Sequence, residues 1–467
     1  MKRHILLVEP AYRAKYPPLG LMKISQYHKG KGDHVEFVKG LSAEKRDKLR
    51  WDRVYVASLF TYHWRQTVEA LRYYQHSVKE PQSRNLVVGG VMATLMGDDI
   101  RAEVDCNVVT QLLDEKGKLG YEDDDVIDSL LPDYGILDET EYTYPTANAY
   151  VAYATRGCTR RCKFCAVPAI EPRFKPYQPL AAQIEEIDRR YGPKRDLLLL
   201  DNNVLASGRF ADIIGEIKAV GFGAGATFAY TGKAGRRISV RRRVDFNQGV
   251  DIRLLSPRKM ALLSELAIWP LRLAFDRIQL RGLYEEKVRL AVRCGVRRLS
   301  NYLLFNYDDR PEDLYERIRL NVELNEQLGV QIYSFPMRYV SLTSKDRLVD
   351  RPGNIGAHWN RKYLRAIQCV LIPTHGSVSH RRDFFEAAFG RDVDEFRKIL
   401  LMPEDYIINR HSHEEDGSTE LWWQQLSDLN AMEREELLGI VLNCQLKQVD
   451  WSALIRSVGG VLEHYVR

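Results

Sequence analysis

The 467-residue chain lacks any long apolar run. Its first, Ile5-Leu6-Leu7-Val8, is only four residues. That is shorter than the core of a secretory signal and far shorter than a membrane span, and no other stretch qualifies. A cytoplasmic protein without membrane association is therefore expected. Cysteine is also scarce. Of seven, Cys158, Cys162 and Cys165 fall together, while Cys106, Cys294, Cys369 and Cys444 stand singly. This excludes a disulfide scaffold, and the single cysteines read as small buried side chains. Nor is there a strong excess of either charge. The net charge of +6 does not by itself argue for nucleic acid. With 45% hydrophobic and 28% charged residues the composition is that of a globular protein, and the length exceeds what one core serves, so two or three domains are expected.

What is present centres on Ala154-Thr155-Arg156-Gly157-Cys158-Thr159-Arg160-Arg161-Cys162-Lys163-Phe164-Cys165. Its C-x3-C-x2-C spacing follows a strand-like run, 148–153. Thiolates favour iron–sulfur clusters, and three of them leave one iron of a [4Fe–4S] cubane without a protein ligand. The competing reading is a zinc site or unrelated thiols. Structural zinc prefers four ligands, and no fourth Cys or paired His lies near. C-x3-C-x-aromatic-C, with Phe164 in the aromatic place, resembles the signature of the radical S-adenosylmethionine (SAM) enzymes. That resemblance implies that Cys158, Cys162 and Cys165 hold the cluster. It also implies that the open iron chelates the amino and carboxylate groups of SAM, and that an electron cleaves SAM to a 5′-deoxyadenosyl radical. An electron donor such as flavodoxin or ferredoxin is then expected.

Residues 1–110 alternate strands and helices. Strands are expected at 4–8, 34–38, 54–57, 85–90 and 106–109, with helices at 19–27 and 64–74, which indicates a doubly wound parallel sheet, Rossmann-like in class. Ligands of such sheets sit at the carboxyl ends of the strands, here Glu9-Pro10, Ser58 to Thr61 and Gly89-Gly90. Pro17-Pro18-Leu19-Gly20-Leu21, Ser58-x-x-Thr61 and Val87-Val88-Gly89-Gly90 make this stretch similar to the cobalamin-binding domain that precedes many radical SAM cores. The Asp-x-His-x-x-Gly motif that supplies a histidine to cobalt elsewhere is absent. The alternative is a sheet that binds no corrinoid and only shapes the site.

Residues 111–147 hold eleven acids against two bases between Leu112 and Tyr142, which reads as a solvated acidic linker. From 148 to 340 six strand–helix units follow. Strands are expected at 148–154, 195–201, 245–254, 271–277, 297–306 and 330–339, with helices at 179–190, 208–220, 257–266, 283–294 and 311–328. Pro311-Glu312-Asp313 makes a favourable first turn, and Gly221, Gly295 and Gly329 stand where helices end. Six units correspond to the partial (β/α)6 barrel of the radical SAM core, with its site at the carboxyl ends of the strands.

The polar trio Asp201-Asn202-Asn203 ends the second strand. In the family this position resembles the motif that holds the SAM amino group, while a turn and helix cap is the plainer reading. Gln248, Asp251 and Arg253 resemble polar residues placed on the SAM ribose and carboxylate, and strand alternation would let Asp251 and Arg253 pair. Leu304 and Pro336 stand where the family cradles adenine.

Between the second helix and the third strand, 221–235 is rich in glycine. Residues 233–243 then carry six bases and no acid: Lys233, Arg236, Arg237, Arg241, Arg242 and Arg243. Arginine forks bind phosphate or carboxylate, so a mobile lid over an anionic substrate (a phosphate ester, a nucleotide or an RNA) is one reading. A basic strand meeting the acidic linker is the other.

Residues 341–467 read as a helical domain, with helices at 355–372, 379–390, 392–402, 432–446 and 451–465. His411 and His413 fall in what reads as a polar loop. The chemistry implied is C–H activation by a single-cluster radical SAM enzyme. With cobalamin bound, this extends to methylation of an unactivated carbon. Without it, rearrangement, cyclisation or oxidation remain. A second cluster has no cysteines to hold it. The reading from another class is a nucleic-acid-binding protein with a structural metal centre.

Overall fold

The computed structural model describes residues 2–48, 50–232, 235–346 and 353–466. Five strands come first: β1 (His4–Glu9), β2 (His34–Lys39), β3 (Arg53–Ser58), β4 (Leu86–Gly90) and β5 (Asn107–Val109). All pair in parallel, in the order β2-β1-β3-β4-β5. The apolar run of β1 follows from burial on both faces. Leu6 and Val8 pack with Val68, Leu71 and Tyr74 of the helix Trp64–Tyr74. On the other face Tyr55 meets His28 of the helix Leu19–Gly30. The strand order turns between β1 and β3, so the ligand crevice of this sheet type lies at their carboxyl ends.

The segment after β5 is not the solvated linker that its composition suggests. Leu119, Ile127, Tyr134, Ile136 and Tyr144 are buried, and the acids between them neutralise bases of the surrounding fold. Asp128 pairs with Lys23 (3.3 Å) and Arg156 (2.8 Å), Asp133 with Lys29 (2.7 Å) and Asp114 with Lys175 (2.8 Å).

The six strands of the next stretch are all present: β6 (Ala149–Ala152), β7 (Asp196–Leu199), then, beyond an inserted pair β8 (Thr227–Thr231) and β9 (Arg237–Arg241), β10 (Arg243–Phe246), β11 (Leu271–Ala274), β12 (Arg298–Phe305) and β13 (Gln331–Arg338). β10, β7 and β6 form one parallel sheet in that order, in which Ala149 and Arg243 both sit opposite Asp196. β11, β12 and β13 form another. The chain divides into two compact units, Met1–Leu271 with Ser341–Arg347 and Arg272–Val340 with Leu348–Arg467. One sheet thus belongs to the first unit and nearly all of the other to the second.

The strand expected over 245–254 stops at Phe246. The chain turns at Gly249, and Ile252–Leu254 is a 3-10 turn. Alternation therefore does not place Gln248, Asp251 and Arg253. The inserted pair is also a correction. It pairs as an antiparallel ribbon, with Gly232 N donating to Arg236 O at 2.9 Å, in place of an irregular glycine-rich segment. Lys233 lies outside the described residues. The ribbon joins the sheet at the amino end of β10, level with the starts of β7 and β6, whereas the cysteine stretch leaves the carboxyl end of β6.

The helix Pro311–Leu328 has the expected bounds. In the C-terminal stretch, the polar run around His411 is helical (Glu404–Ile408, Arg410–Glu415, Ser418–Asp428), because Tyr406 and Trp422 supply an apolar face that is fully buried. Among the described residues no helix is long and apolar enough to cross a membrane.

Candidate functional site

After β6 the chain must leave the sheet and stay close to it, and buried polar side chains hold it there. Asp201, just past β7, is 2% exposed. Its carboxylate accepts from Ala154 N (3.1 Å), Thr155 N (2.5 Å) and Thr155 Oγ1 (2.7 Å). Burial pushes its pKa up to about 6, against these hydrogen bonds. On the other side Glu171, also buried, accepts from Gly157 N (2.5 Å) and from Asn202 Nδ2 (3.0 Å) and faces the Arg156 guanidinium at 3.1 Å. Arg156 reaches from Glu171 to Asp128 and lies 3.8 Å from the ring centroid of Tyr153. A short antiparallel contact, Arg156 N to Lys175 O (3.0 Å) and back (2.9 Å), completes the frame.

Gly157 is forced by this frame. It takes φ +76°, and a Cβ there would stand 2.5 Å from Arg173 O and 3.1 Å from Glu171 O. Gly157→Ala combines a left-handed strain with a backbone clash that no side chain can relieve. We expect it to lower the thermal midpoint and to reduce iron retention after reconstitution to well under half that of the wild type, measured as iron per chain.

The three cysteines are half-buried, as is Phe164. Cys158 Sγ accepts from Arg160 N (3.3 Å) and Asn203 Nδ2 (3.4 Å). Two N–H groups thus point at one sulfur. Asn203 is 2% exposed, and its Oδ1 has no hydrogen-bond partner. Among the described residues no three His, Cys, Asp or Glu side chains converge on a single ion. The donor set fits the cluster.

Arg160 ties the same loop to the turn after β10. Its Nε donates to Asp251 Oδ2 at 2.6 Å, and Arg253 Nε donates to Asp251 Oδ1 at 2.6 Å. Burial alone would raise the Asp251 pKa, but hydrogen bonds from Arg253 and Arg160 outweigh it and hold it below the usual carboxylate range. The Asp251–Arg253 pair is therefore present, made by a 3-10 turn in place of a strand. Gln248 is exposed; its neighbour Asn247 is buried and accepts from Tyr16 Oη at 2.6 Å. In the second unit Leu304 sits beside Met337, and Pro336 beside Leu303. Adjacent positions on a strand point to opposite faces, so Leu304 and Pro336 do not line one surface. Leu304 shares its face with Tyr302 and Phe335; Pro336 shares the face of Ser334, which receives a hydrogen bond from Asn321 of the helix Pro311–Leu328.

At the carboxyl ends of the first sheet, Glu9 and Lys39 form a buried pair (3.0 Å), and Lys39 Nζ lies 4.4 Å from the ring centroid of Tyr142. The rim over β1 and β2 is thus filled by the protein's own side chains. Over β3 and β4 the ends carry only Ser58, Gly89 and Gly90 before the exposed Phe60.

Thr155, Arg156, Glu171, Arg160 and Asn247 were not singled out by sequence reasoning. Arg156 and Arg160 lie inside the cysteine stretch, so basic residues embedded in the motif were a usable signal. Nothing near Glu171 marks it.

The fold is similar to that of solved radical SAM methyltransferases. The radical SAM methyltransferase TsrM from Kitasatospora setae, solved with cobalamin and a [4Fe-4S] cluster bound, is similar over 80% of this chain and 79% of its own, with TM-score 0.51 and 14% identity. A second structure of it, with tryptophan substrate and a SAM analogue (aza-SAM) bound, is similar over 79% and 77%, with TM-score 0.50 and 13% identity. No family model matches the chain, and no curated protein matches it by sequence.

Proposed function

We propose that this protein is a radical SAM enzyme. The observation that carries the reading is the cysteine loop: three accessible cysteines at the carboxyl edge of a parallel sheet, one sulfur already receiving two N–H donors, and a frame of buried carboxylates fixing the backbone between them. Cys158, Cys162 and Cys165 would each bind one iron of a [4Fe-4S] cluster. When bound, the cluster supplies one electron that splits SAM into methionine and a 5′-deoxyadenosyl radical, which removes hydrogen from an unactivated C–H bond. The chain's own residues hold and orient. Asn203 Nδ2 steadies the Cys158 sulfur, and its unpartnered Oδ1 would accept from the SAM amino group. Phe164 shields the loop. Asp201 acts through the backbone of residues 154 and 155 and is a positioning residue. Asp251 and Arg253, fixed to Arg160, offer a carboxylate and a guanidinium to the ribose and carboxylate of SAM. Gln248 and Asn202 are further proposed SAM contacts, and Leu304 and Pro336 are proposed for adenine.

The N-terminal sheet is proposed to bind cobalamin at the open rim over β3 and β4, where it would carry a methyl group to carbon. Rearrangement, cyclisation or oxidation is the outcome if that rim stays free of corrinoid. A flavodoxin or ferredoxin is the proposed electron donor, and the substrate is proposed to be anionic.

Anaerobic reconstitution tests the reading. We expect about four irons per chain, an absorbing cluster reducible by dithionite, and 5′-deoxyadenosine from SAM. Each of Cys158→Ala, Cys162→Ala and Cys165→Ala should abolish the product. Asn203→Ala should keep most of the iron but weaken SAM binding. A colourless protein with one zinc would overturn the proposal, and cobalamin added during reconstitution should be retained one per chain if the methylation reading holds.

A further inference from the structure

The ribbon of β8 and β9 has two unlike faces. Its register pairs Thr227 with Arg241, Ala229 with Ser239 and Thr231 with Arg237, and paired residues share a face. That face is small and hydroxyl-bearing apart from its two arginines. The other face pairs Phe228 with Val240 and Tyr230 with Ile238. The rings of Phe228 and Tyr230 lie near parallel, 25° apart with centroids at 6.3 Å, and Arg242 stands over Phe228 at 5.7 Å. Tyr230 is 44% exposed and Ile238 36%.

Five described arginines (Arg236, Arg237, Arg241, Arg242 and Arg243) thus gather on a protruding ribbon that has no acid of its own. Among the described residues none of them has a carboxylate partner. The acidic segment does not supply one: its ion pairs are with other bases, among them Lys23, Lys29, Lys31, Lys116, Arg156 and Lys175. An isolated two-stranded ribbon is marginal in water, and one with open arginines and half-exposed rings is built to be covered.

We propose that this ribbon is a docking surface for single-stranded nucleic acid. Phe228 and Tyr230 would stack bases on one face, and Arg236, Arg237 and Arg241 would hold phosphates where the strand passes over the ribbon's edge toward the other face. The paired rings are what favour this over an acidic polypeptide: every base has a face to stack, whereas carboxylates alone require only the charge. The surface lies at the amino edge of the β10-β7-β6 sheet, one strand length of about 13 Å from the cysteine loop. It therefore holds a long substrate at a distance and does not itself enter the reaction site. This deepens the anionic-substrate reading above, but the binding itself requires neither SAM nor a reduced cluster.

The test is fluorescence anisotropy with the reconstituted full chain and three probes: a labelled 20-nucleotide RNA of mixed sequence, the DNA of the same sequence, and a labelled glutamate 20-mer. We expect at least one oligonucleotide to bind more than tenfold tighter than the peptide at low salt. Arg237→Ala with Arg241→Ala should weaken binding at least tenfold and lower the steepness of the log Kd against log salt plot by about 1.4, about 0.7 for each phosphate that is no longer neutralised. Tyr230→Ala should weaken binding about tenfold and leave that slope unchanged. Arg84→Ala, an exposed arginine on another element, should change nothing. The proposal is overturned if neither oligonucleotide binds, if the peptide binds as tightly and Tyr230→Ala is silent, or if Arg84→Ala costs as much as the ribbon arginines. Since 5′-deoxyadenosine formation is followed on the same preparation, failure of docking and failure of the radical SAM reading are separate outcomes.

Discussion

Replacing Arg156 by alanine is expected to cost about 3–5 kcal/mol of stability, the usual result of removing one partner from a buried ion cluster. The guanidinium is 5% exposed and lies between the half-buried Asp128 (2.8 Å) and the buried Glu171 (3.1 Å). In its absence Asp128 keeps Lys23, but Glu171 keeps only Gly157 N and Asn202 Nδ2. The loop frame then carries an uncompensated charge beside the cysteines, so iron retention should fall together with stability. Arg156→Lys should recover less than half, because one ammonium cannot span both carboxylates. The variant also has a pH signature. Burial would raise the Asp128 pKa, but Lys23 and Arg156 outweigh it and hold it below the ordinary value. A depressed carboxyl stabilises the fold at neutral pH and loses that contribution as pH falls below about 4. Urea denaturation of wild type should therefore show stability lost on the acid side of that value, and Arg156→Ala should show less of this loss.

The sheet of the first 110 residues was legible because its strands are short apolar runs and its helices have a single apolar stripe. The helix Trp64–Tyr74 and the strand His34–Lys39 fall where periodicity places them. The end of β10 was not legible. Phe246 to Arg253 keeps enough apolar residues at alternate positions to read as one strand, and only the turn at Gly249 breaks it. The acidic segment misled for a different reason. Charge density predicts solvation when the counter-charges are unknown, and here they lie far off in sequence, at Lys23, Lys29 and Arg156. The same separation hid Glu171. The ribbon's place was not legible because glycine content says nothing of the edge from which an insertion leaves a sheet. The pairing of Arg243 with Asp196 settles that edge.

Asparagine at Asp201 should have the second large effect, and it distinguishes holding from binding. The aspartate accepts two backbone N–H groups and one hydroxyl, all from residues 154 and 155. An amide of the same shape has one oxygen to offer and turns two N–H bonds toward donors it must satisfy. Each charge-assisted bond lost in a buried site is worth about 1.5–3 kcal/mol, so a total near 3 kcal/mol is expected once the loop relaxes. The readouts are thermal unfolding and iron per chain, both of which should fall. A residue that only touched SAM would leave both intact and change SAM affinity alone. The pH dependence gives an independent check. With its pKa pushed up to about 6 by burial, Asp201 binds a proton more readily folded than unfolded. The wild type should therefore lose stability as pH rises from about 4 to about 6, a slope that Asp201→Asn removes. Because Asp128 titrates below that window, the two carboxyls separate on one stability profile: a rise in stability coming up from acid that depends on Arg156, and a fall above it that depends on Asp201.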